Sequence, residues 1–311
     1  MTGKNATEML GADEAGVARA AELLRAGKLV ALPTETVYGL AARADDAAAV
    51  VRIYEAKGRP SFNPLIVHVP DVASAEELAD FSESARCVTK QWPGPMTLVL
   101  PRKAGAALAD AVTAGLPTVA IRVPAHPVMR AVLKAAGVPL AAPSANRSGF
   151  ISPTSADHVL ASLGGRIDAV LDAGVCERGL ESTILADRGG AWEVLRPGPI
   201  ELPEKLRRAT SAGGGVEAPG QLASHYAPGK PLRVDASEAQ NGEFLIGFGD
   251  VIGDCSLSES GDLTEAASRL YACLHLAARA SQGAIAVAPV PDEGIGTAIN
   301  DRLRRAATPP D

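Results

Sequence analysis

The sequence has few aromatic residues and few cysteines, and each shortage excludes something. Phenylalanine, tryptophan and tyrosine make up 4% of the 311 residues, so the apolar core must be mainly aliphatic. The four cysteines are scattered, and no pair has the spacing of metal ligands. They are Cys87, Cys176, Cys255 and Cys273. Such usage predicts structural thiols in a reducing compartment, and hence a cytoplasmic protein.

Long apolar runs and an excess of positive charge are also missing. No run of about 18 apolar residues exists, so we expect no membrane span, and residues 1–5 do not begin a secretory signal. The net charge of −6 argues against a generally basic, nucleic-acid-coating surface but leaves room for a local basic patch. The length predicts about two domains, and the hydrophobic fraction of 47% predicts a large core.

The glycine-rich phosphate loops of common nucleotide-binding folds are absent. The chain has no Walker-type Gly-x4-Gly-Lys-Ser/Thr motif and no Gly-x-Gly-x-x-Gly after a predicted strand. A Gly-x-Ser-x-Gly nucleophile elbow is missing too. Any bound phosphate must therefore be held by side chains such as Lys57, Arg59 and Arg196.

Two short segments are the strongest candidates for such a site. Lys57-Gly58-Arg59 precedes an apolar run predicted to be a strand, and Ser144-Ala145-Asn146 follows another. The planar fork of arginine and the point charge of lysine both suit phosphate oxygens. The alternative for the first segment is a solvated basic turn. Asn63 and His68 lie in and beside the strand that follows, and they favour a site.

Other segments place polar side chains beside predicted strands. Residues 33–40 follow the first strand and suit a small polar ligand, or form a helix cap and turn. Residues 179–184 are similar, and alone they are a turn that leads into a strand. Arg122 ends an apolar strand that begins at Thr118, so it needs a structural carboxylate or an acidic ligand. His225-Tyr226 indicates either a ligand contact or packing of a linker.

Predicted strands and helices alternate along the chain, which is typical of an α/β fold. The pattern predicts helices over residues 13–26 and 46–56, and another over 74–86 with Ser74 as its N-cap. We predict a catalytic domain over 1–200 and a Pro/Gly-rich linker over 201–230. A small three-layer α/β domain of β-β-α-β-α order is predicted over 231–311.

Nearly the whole chain resembles the YrdC-like threonylcarbamoyl-AMP synthases in their longer, two-domain form. The resemblance rests on the pairing of Lys-x-Arg with Ser-x-Asn, and on residues 33–40, 57–68, 181–184, 224–228 and 295–303. It implies a first domain whose twisted open sheet forms a concave, positively charged cavity, joined to a Rossmann-like second domain. A linker that closes over the active site is also implied.

The resemblance assigns site residues position by position. The positions that hold L-threonine are Thr36, His68, Arg122, Ala142 and Ser182. The positions that hold ATP are Arg59, Asn63, Thr118, Ser144, Asn146, Ser152, Arg196 and Tyr226. Lys57 and Arg59 are the expected catalytic residues, and replacing either by alanine should depress adenylate formation while leaving the fold intact. No protein-made metal site is expected, and Mg²⁺ would be held mainly through the ATP phosphates.

The implied reaction joins ATP, L-threonine and bicarbonate into L-threonylcarbamoyl-AMP and pyrophosphate. A separate transferase complex would pass the group to the adenosine beside a tRNA anticodon, with at most a weak direct contact to tRNA and none to a membrane. Two alternatives are a carbamoyl-adenylate-forming enzyme of hydrogenase maturation and a non-catalytic binder of double-stranded RNA. The Cys-x-x-Cys zinc motifs of the first are absent, and the acidic net charge weakens the second.

Overall fold

The computed structural model describes residues 6–202 and 216–309. Its strands are β1 (Glu8–Gly11), β2 (Val30–Leu32), β3 (Gly39–Arg43), β4 (Ile66–His68), β5 (Met96–Pro101), β6 (Thr118–Arg122), β7 (Leu140–Ala141), β8 (Ala169–Asp172), β9 (Thr183–Asp187), β10 (Trp192–Arg196), β11 (Leu232–Arg233), β12 (Glu243–Gly247), β13 (Cys255–Ser256) and β14 (Ala284–Val287). Its helices are α1 (Glu14–Arg25), α2 (Ala47–Lys57), α3 (Val72–Glu76), α4 (Glu83–Val88), α5 (Asp110–Thr113), α6 (Pro127–Ala136), α7 (Ala156–Leu163), α8 (Leu263–Arg279) and α9 (Gly296–Ala307).

The first ten strands form one open mixed sheet. Their order is β1-β8-β2-β3-β7-β4-β6-β5-β9-β10. Strands β4 and β6 are parallel, and their register pairs His68 with Arg122. Two predicted site residues from distant parts of the sequence therefore end neighbouring strands at the same edge of the sheet.

Side chains along each strand point alternately to the two faces of the sheet, and both faces carry apolar residues. Ala31 of β2 points into a core shared with α2 and α7. Val30 and Leu32 point the opposite way, into a core with α1 and α6. Farther along the sheet, this second face carries a smaller cluster that includes Ile66 and Ala120. His68 and Arg122, two residues beyond these, lie on the same face.

The helix predicted over residues 74–86 is wrong as a single element. The chain instead forms the short helices α3 and α4, capped by Asp71 and Ser82. Between them Ala79 pairs with Arg102 as an isolated β-bridge. The apolar spacing resembles one helix, but each cap begins a new helix where its side chain accepts a backbone N–H.

The last four strands form a second, parallel sheet in the order β11-β14-β12-β13. Helices α8 and α9 contribute to the apolar core on one of its faces. The predicted class, a large open sheet with a smaller α/β unit, is confirmed. Of the predicted linker, residues 203–215 lie outside the described residues, and the division into three segments stays a prediction. Within the described residues, no helix is both long and apolar enough to cross a membrane.

Candidate active site

A cavity with an empty volume of about 520 Å³ lies on the second face of the large sheet. Nine predicted site residues line it: Thr36, Arg59, His68, Arg122, Ala142, Ser144, Ser182, Arg196 and Tyr226. They come from separate segments of sequence, so the fold converts scattered motifs into one wall.

The turn between β2 and β3 presents hydroxyl groups to this cavity. Thr34 Oγ1 accepts the backbone N–H groups of Thr36 and Val37, both at 3.1 Å, and this contact closes the turn. The same oxygen lies 2.8 Å from Thr36 Oγ1. Thr34 is thus the local reason why the buried Thr36 hydroxyl faces the site.

Arg122 is held in place by the carboxylate of Glu35. Its Nη2 donates to Glu35 Oε1 at 2.5 Å, its Nη1 to Thr36 Oγ1 at 2.9 Å and its Nε to Gly94 O at 3.2 Å. Burial alone would raise the pKa of Glu35, but Arg122 brings it below its usual value, so the pair is ionised. The sequence allowed either a structural carboxylate or an acidic ligand as the partner of Arg122. The structure shows Glu35 as a structural carboxylate, and Arg122 also lines the cavity.

His68 is a neutral histidine at the end of β4. Burial, followed by the nearby Arg122 charge, lowers its pKa to about 3. Its Nδ1 has no hydrogen-bond partner among the residues that the structure describes. A buried polar atom of this kind needs a partner, and a ligand in the cavity would supply one.

Lys57 and Arg59 diverge because Gly58 caps α2 in the left-handed conformation, with φ of 60°. Arg59 lines the cavity and donates through Nη2 to Asn63 Oδ1 at 2.6 Å and to Pro64 O at 2.9 Å. Burial lowers its pKa to about 10, so the guanidinium stays charged at neutral pH.

Lys57 turns the other way, to the Ser144-Ala145-Asn146 segment. Its Nζ donates to Ser144 O at 2.5 Å and to Asn146 O. Burial, with the Arg59 charge beside it, holds the pKa of Lys57 well below its usual value. The side chain lies behind the cavity wall and cross-links the two predicted motifs.

A second group of hydroxyls lies at the start of β9. Ser182 Oγ is 2.7 Å from Thr97 Oγ1 and accepts Arg196 Nη2 at 3.1 Å. Arg196 also donates through Nε to Ser182 O at 3.0 Å and through Nη1 to Pro219 O at 3.2 Å. Arg196 therefore joins the sheet to the segment that covers the cavity.

Residues 216–226 cover the cavity, and Pro219, Gly220, His225 and Tyr226 contribute to its lining. Tyr226 is fully buried in a left-handed backbone conformation, with φ of 64°. Such a conformation is costly for a residue other than glycine, so it indicates that the surroundings hold Tyr226 tightly. Its ring stacks on Tyr271 of α8, with 5.6 Å between ring centroids.

The remaining predicted residues lie outside the cavity lining. Asn63 and Asn146 are buried beside it, and each keeps one side-chain atom without a partner among the described residues. Ser152 donates to Glu181 Oε1 at 2.6 Å. Thr118 is half-buried on the same face of β6 as Arg122, four residues away. Their predicted ligand contacts, like the direct role of Lys57, stay predictions.

Sequence reasoning gave no individual role to several residues that shape this site. Glu35 and Glu181 lie within the polar segments 33–40 and 179–184, but their arginine partners lie 87 and 121 residues away. Thr97 and Gly220 were not singled out. The one available signal is that both glutamates lie in segments of hydroxyl residues, where a buried carboxylate needs a cation.

An open mixed sheet with a basic cavity on one face is the arrangement expected of a YrdC-like α/β protein. The family model described as "Telomere recombination" matches residues 22–198. The model described as "Threonylcarbamoyl-AMP synthase, C-terminal domain" matches residues 193–308. The chain belongs to the threonylcarbamoyl-AMP synthase family.

Individual relatives agree with this assignment. The threonylcarbamoyl-AMP synthase of Bacillus subtilis is 40% identical, over 97% of this chain and 95% of that protein. The crystal structure of Pyrococcus abyssi Sua5 complexed with L-threonine is 35% identical, with a TM-score of 0.88, over 97% of this chain and 98% of that chain. Escherichia coli YciO matches 62% of this chain and 95% of its own, at 19% identity and a TM-score of 0.54, which supports the fold alone. The predictions of family, fold and enzyme class are confirmed.

Proposed function

We propose that this chain joins L-threonine, bicarbonate and ATP into L-threonylcarbamoyl-AMP and releases pyrophosphate. The observation that carries this proposal is a set of unsatisfied polar atoms. Of eight buried side-chain atoms without a partner among the described residues, five belong to Asn63, His68, Asn146, His225 and Tyr226. Four of these residues are predicted ligand positions, and the fifth lines the cavity. Because buried polar atoms are almost always paired, this clustering favours a polar substrate.

The threonine half of the site is centred on Arg122. The guanidinium already binds Glu35 and Thr36, and its remaining N–H groups suit the carboxylate of the amino acid. Thr36 and Ser182 line the same cavity, and their hydroxyls would read the side-chain hydroxyl of threonine. Ala142 offers a small apolar surface for the threonine methyl group.

The nucleotide half is centred on Arg59 and Arg196. Both guanidiniums are buried and line the cavity, and Ser144 and Tyr226 lie on the same wall. Asn63 Nδ2 and the Tyr226 hydroxyl have unused hydrogen-bonding capacity. Lys57 supports this half by fixing the Ser144 backbone, which places its contribution in positioning.

The chemistry needs no covalent nucleophile. The threonine amine first adds to bicarbonate and loses water, giving a carbamate. A carbamate oxygen then attacks the α-phosphorus of ATP, and pyrophosphate leaves with the electrons of the broken P–O bond. Arg59 and Arg196 neutralise charge on the phosphates, while the 216–226 segment keeps water from the labile carbamate.

Mg²⁺ would enter this site with the nucleotide. Among the described residues, no cluster of three or more His, Cys, Asp or Glu side chains is suited to hold a metal ion. Glu181, which lines the cavity, is already engaged by Arg302, and Glu35, beside the lining, by Arg122. The wall therefore suits an ion bound through phosphates and water, where it would neutralise phosphate charge.

The product would serve a separate transferase complex that modifies tRNA, and we propose a cytoplasmic location for both. Non-catalytic binding of double-stranded RNA fits the cavity less well. The cations of the cavity are buried in a covered site, where an RNA duplex cannot reach them.

One assay tests the proposal: pyrophosphate release from ATP, with threonine and bicarbonate added separately and together. We expect release only when both are present, with formation of threonylcarbamoyl-AMP in equal amount. Equal release without threonine would refute the proposed function.

A further inference from the structure

The cavity wall contains a buried carboxylate, Glu181, which residues of the second α/β unit bind. Ser152 Oγ donates to Glu181 Oε1 at 2.6 Å, and Arg302 Nε donates to Oε2 at 3.0 Å. The Tyr271 hydroxyl lies 2.9 and 2.8 Å from the two oxygens. Tyr271 belongs to α8 and Arg302 to α9, so two helices of the second unit act on one residue of the first.

Arg302 also contacts the segment that covers the cavity. Its side chain is fully buried, its Nη2 donates to Pro197 O at 2.9 Å, and its guanidinium lies 5.4 Å from the centre of the Tyr226 ring. A buried cation in this position touches the cavity wall, the residue that follows β10 and the cover at once. A solvent-exposed ion pair contributes little to stability, whereas these Arg302 contacts are buried and join three parts of the structure.

The acceptor positions of Glu181 are occupied by these donors. Burial raises the pKa of Glu181, but the charges of Arg302 and Arg196 bring it down to about 2, so the group is ionised at neutral pH. A carboxylate bound on both oxygens by three residues is poorly placed to take a proton or to coordinate a metal ion. Its charge, however, lies in a cavity that must accept an anionic nucleotide.

We propose that Arg302 and Tyr271 are positioning residues for the nucleotide half of the site. Both hold the Glu181 carboxylate by hydrogen bonds and Arg302 offsets its charge, so the second α/β unit sets the affinity of the first for ATP. Without Arg302, the Glu181 carboxylate is offset by Arg196 alone, so it weakens the attraction of this half of the site for the triphosphate and leaves threonine binding little changed. This inference rests on the proposed use of ATP.

The test compares three variants by pyrophosphate release, with KM measured separately for ATP and threonine. Arg302→Met should raise the KM for ATP by about tenfold or more and change the KM for threonine by less than about twofold. The double variant Arg302→Met/Glu181→Gln removes both charges and should return the KM for ATP to within about threefold of wild type. Arg304→Met, an exposed arginine of the same helix, is the matched control and should match wild type.

A role limited to folding would give a different pattern. An unchanged KM for ATP in Arg302→Met would overturn the proposal. So would a double variant that is no better than the single one, or a KM for threonine that rises as much as that for ATP.

Arg302→Met leaves a buried charge unpaired, and this change alone can prevent folding. In that case the double variant and Tyr271→Phe carry the test. We then expect a KM for ATP within about threefold of wild type for the double variant, and a rise beyond that margin for Tyr271→Phe with threonine unaffected. A tenfold rise in the double variant, or no change in Tyr271→Phe, would refute the inference.

Failure of the proposed function is separately visible. If the wild-type protein releases no pyrophosphate, equilibrium binding of a non-hydrolysable ATP analogue to the same variants tests the inference. The expected dissociation constants follow the same order, and equal values for wild type and the Arg302 or Tyr271 variants would overturn it.

Discussion

Replacing Lys57 by methionine tests whether this residue acts on phosphates or on the protein. The sequence predicts a catalytic cation whose removal leaves the fold intact. The structure places the amine behind the wall, where it donates to the carbonyls of Ser144 and Asn146. Lys57→Met keeps an unbranched side chain that is one atom shorter and removes both hydrogen bonds.

The expected loss of stability follows from these two carbonyls. Each buried acceptor left without a donor costs about 1–3 kcal/mol, so the upper range for two is about 6 kcal/mol. Methionine avoids the burial of an amine, whose cost is visible in the lowered pKa of Lys57. We therefore expect the free energy of unfolding to fall by about 2–4 kcal/mol. A domain of ordinary stability remains folded after such a loss.

Urea unfolding and pyrophosphate release, measured on the same samples, separate the two roles. The matched control is Lys103→Met, because Lys103 makes a single exposed hydrogen bond of 3.0 Å to Glu76 O. We expect the control to change stability by less than about 0.5 kcal/mol and activity not at all. Wild-type stability in Lys57→Met, combined with lost turnover, would refute the structural role and favour direct phosphate contact.

Three further predictions concern the cover, pH and selectivity. A Cβ at Gly220 would lie 3.1 Å from the Tyr226 hydroxyl, so Gly220→Ala should raise the KM for ATP, whereas Gly229→Ala, with a similar positive φ and open space, should not. Equal effects would mean that backbone strain alone matters. The pKa values of His68 and His225 lie at about 3 in the folded protein and near 6.5 in the unfolded chain. Because the unfolded chain then binds more protons in acid, lowering the pH from 7.5 to 5.5 should reduce the urea-unfolding free energy by roughly 1.4 kcal/mol per histidine, and a flat profile would contradict their neutral burial. A pocket that reads a hydroxyl should reject valine by about 10⁴–10⁵ in kcat/KM while serine remains the nearer competitor, and comparable rates with valine would contradict it.

Local patterns predicted the elements of the site well. Apolar runs flanked by polar residues located β4 and β6, and the parallel pairing of these strands explains why His68 and Arg122 meet. The Lys-x-Arg and Ser-x-Asn motifs, which seemed separate in sequence, are joined by the Lys57 amine. The motifs could not indicate which way each side chain points. The left-handed conformation of Gly58 directs the side chains of Lys57 and Arg59 to different partners.

Long-range partners escaped prediction for a physical reason. Glu181 is bound by Tyr271 and Arg302, which are 90 and 121 residues away. No local sequence pattern encodes such a contact, because it depends on how the elements of the two sheets pack against each other. The second α/β unit therefore carried no recognisable chemistry in sequence, although its helices reach the cavity wall.

The distribution of charge in the cavity explains how it accepts an anion without a glycine loop. Each buried carboxylate in or beside the wall has its own arginine, with Glu35 paired to Arg122 and Glu181 to Arg302. These pairs contribute little net charge. Arg59 and Arg196, by contrast, donate to carbonyl, amide and hydroxyl oxygens. Within the described part of the chain neither forms a direct ion pair with a carboxylate, although the charge of Glu181 acts on Arg196. A buried cation that no carboxylate binds directly is costly unless an anion joins it, so these two arginines form the part of the wall that is suited to phosphate.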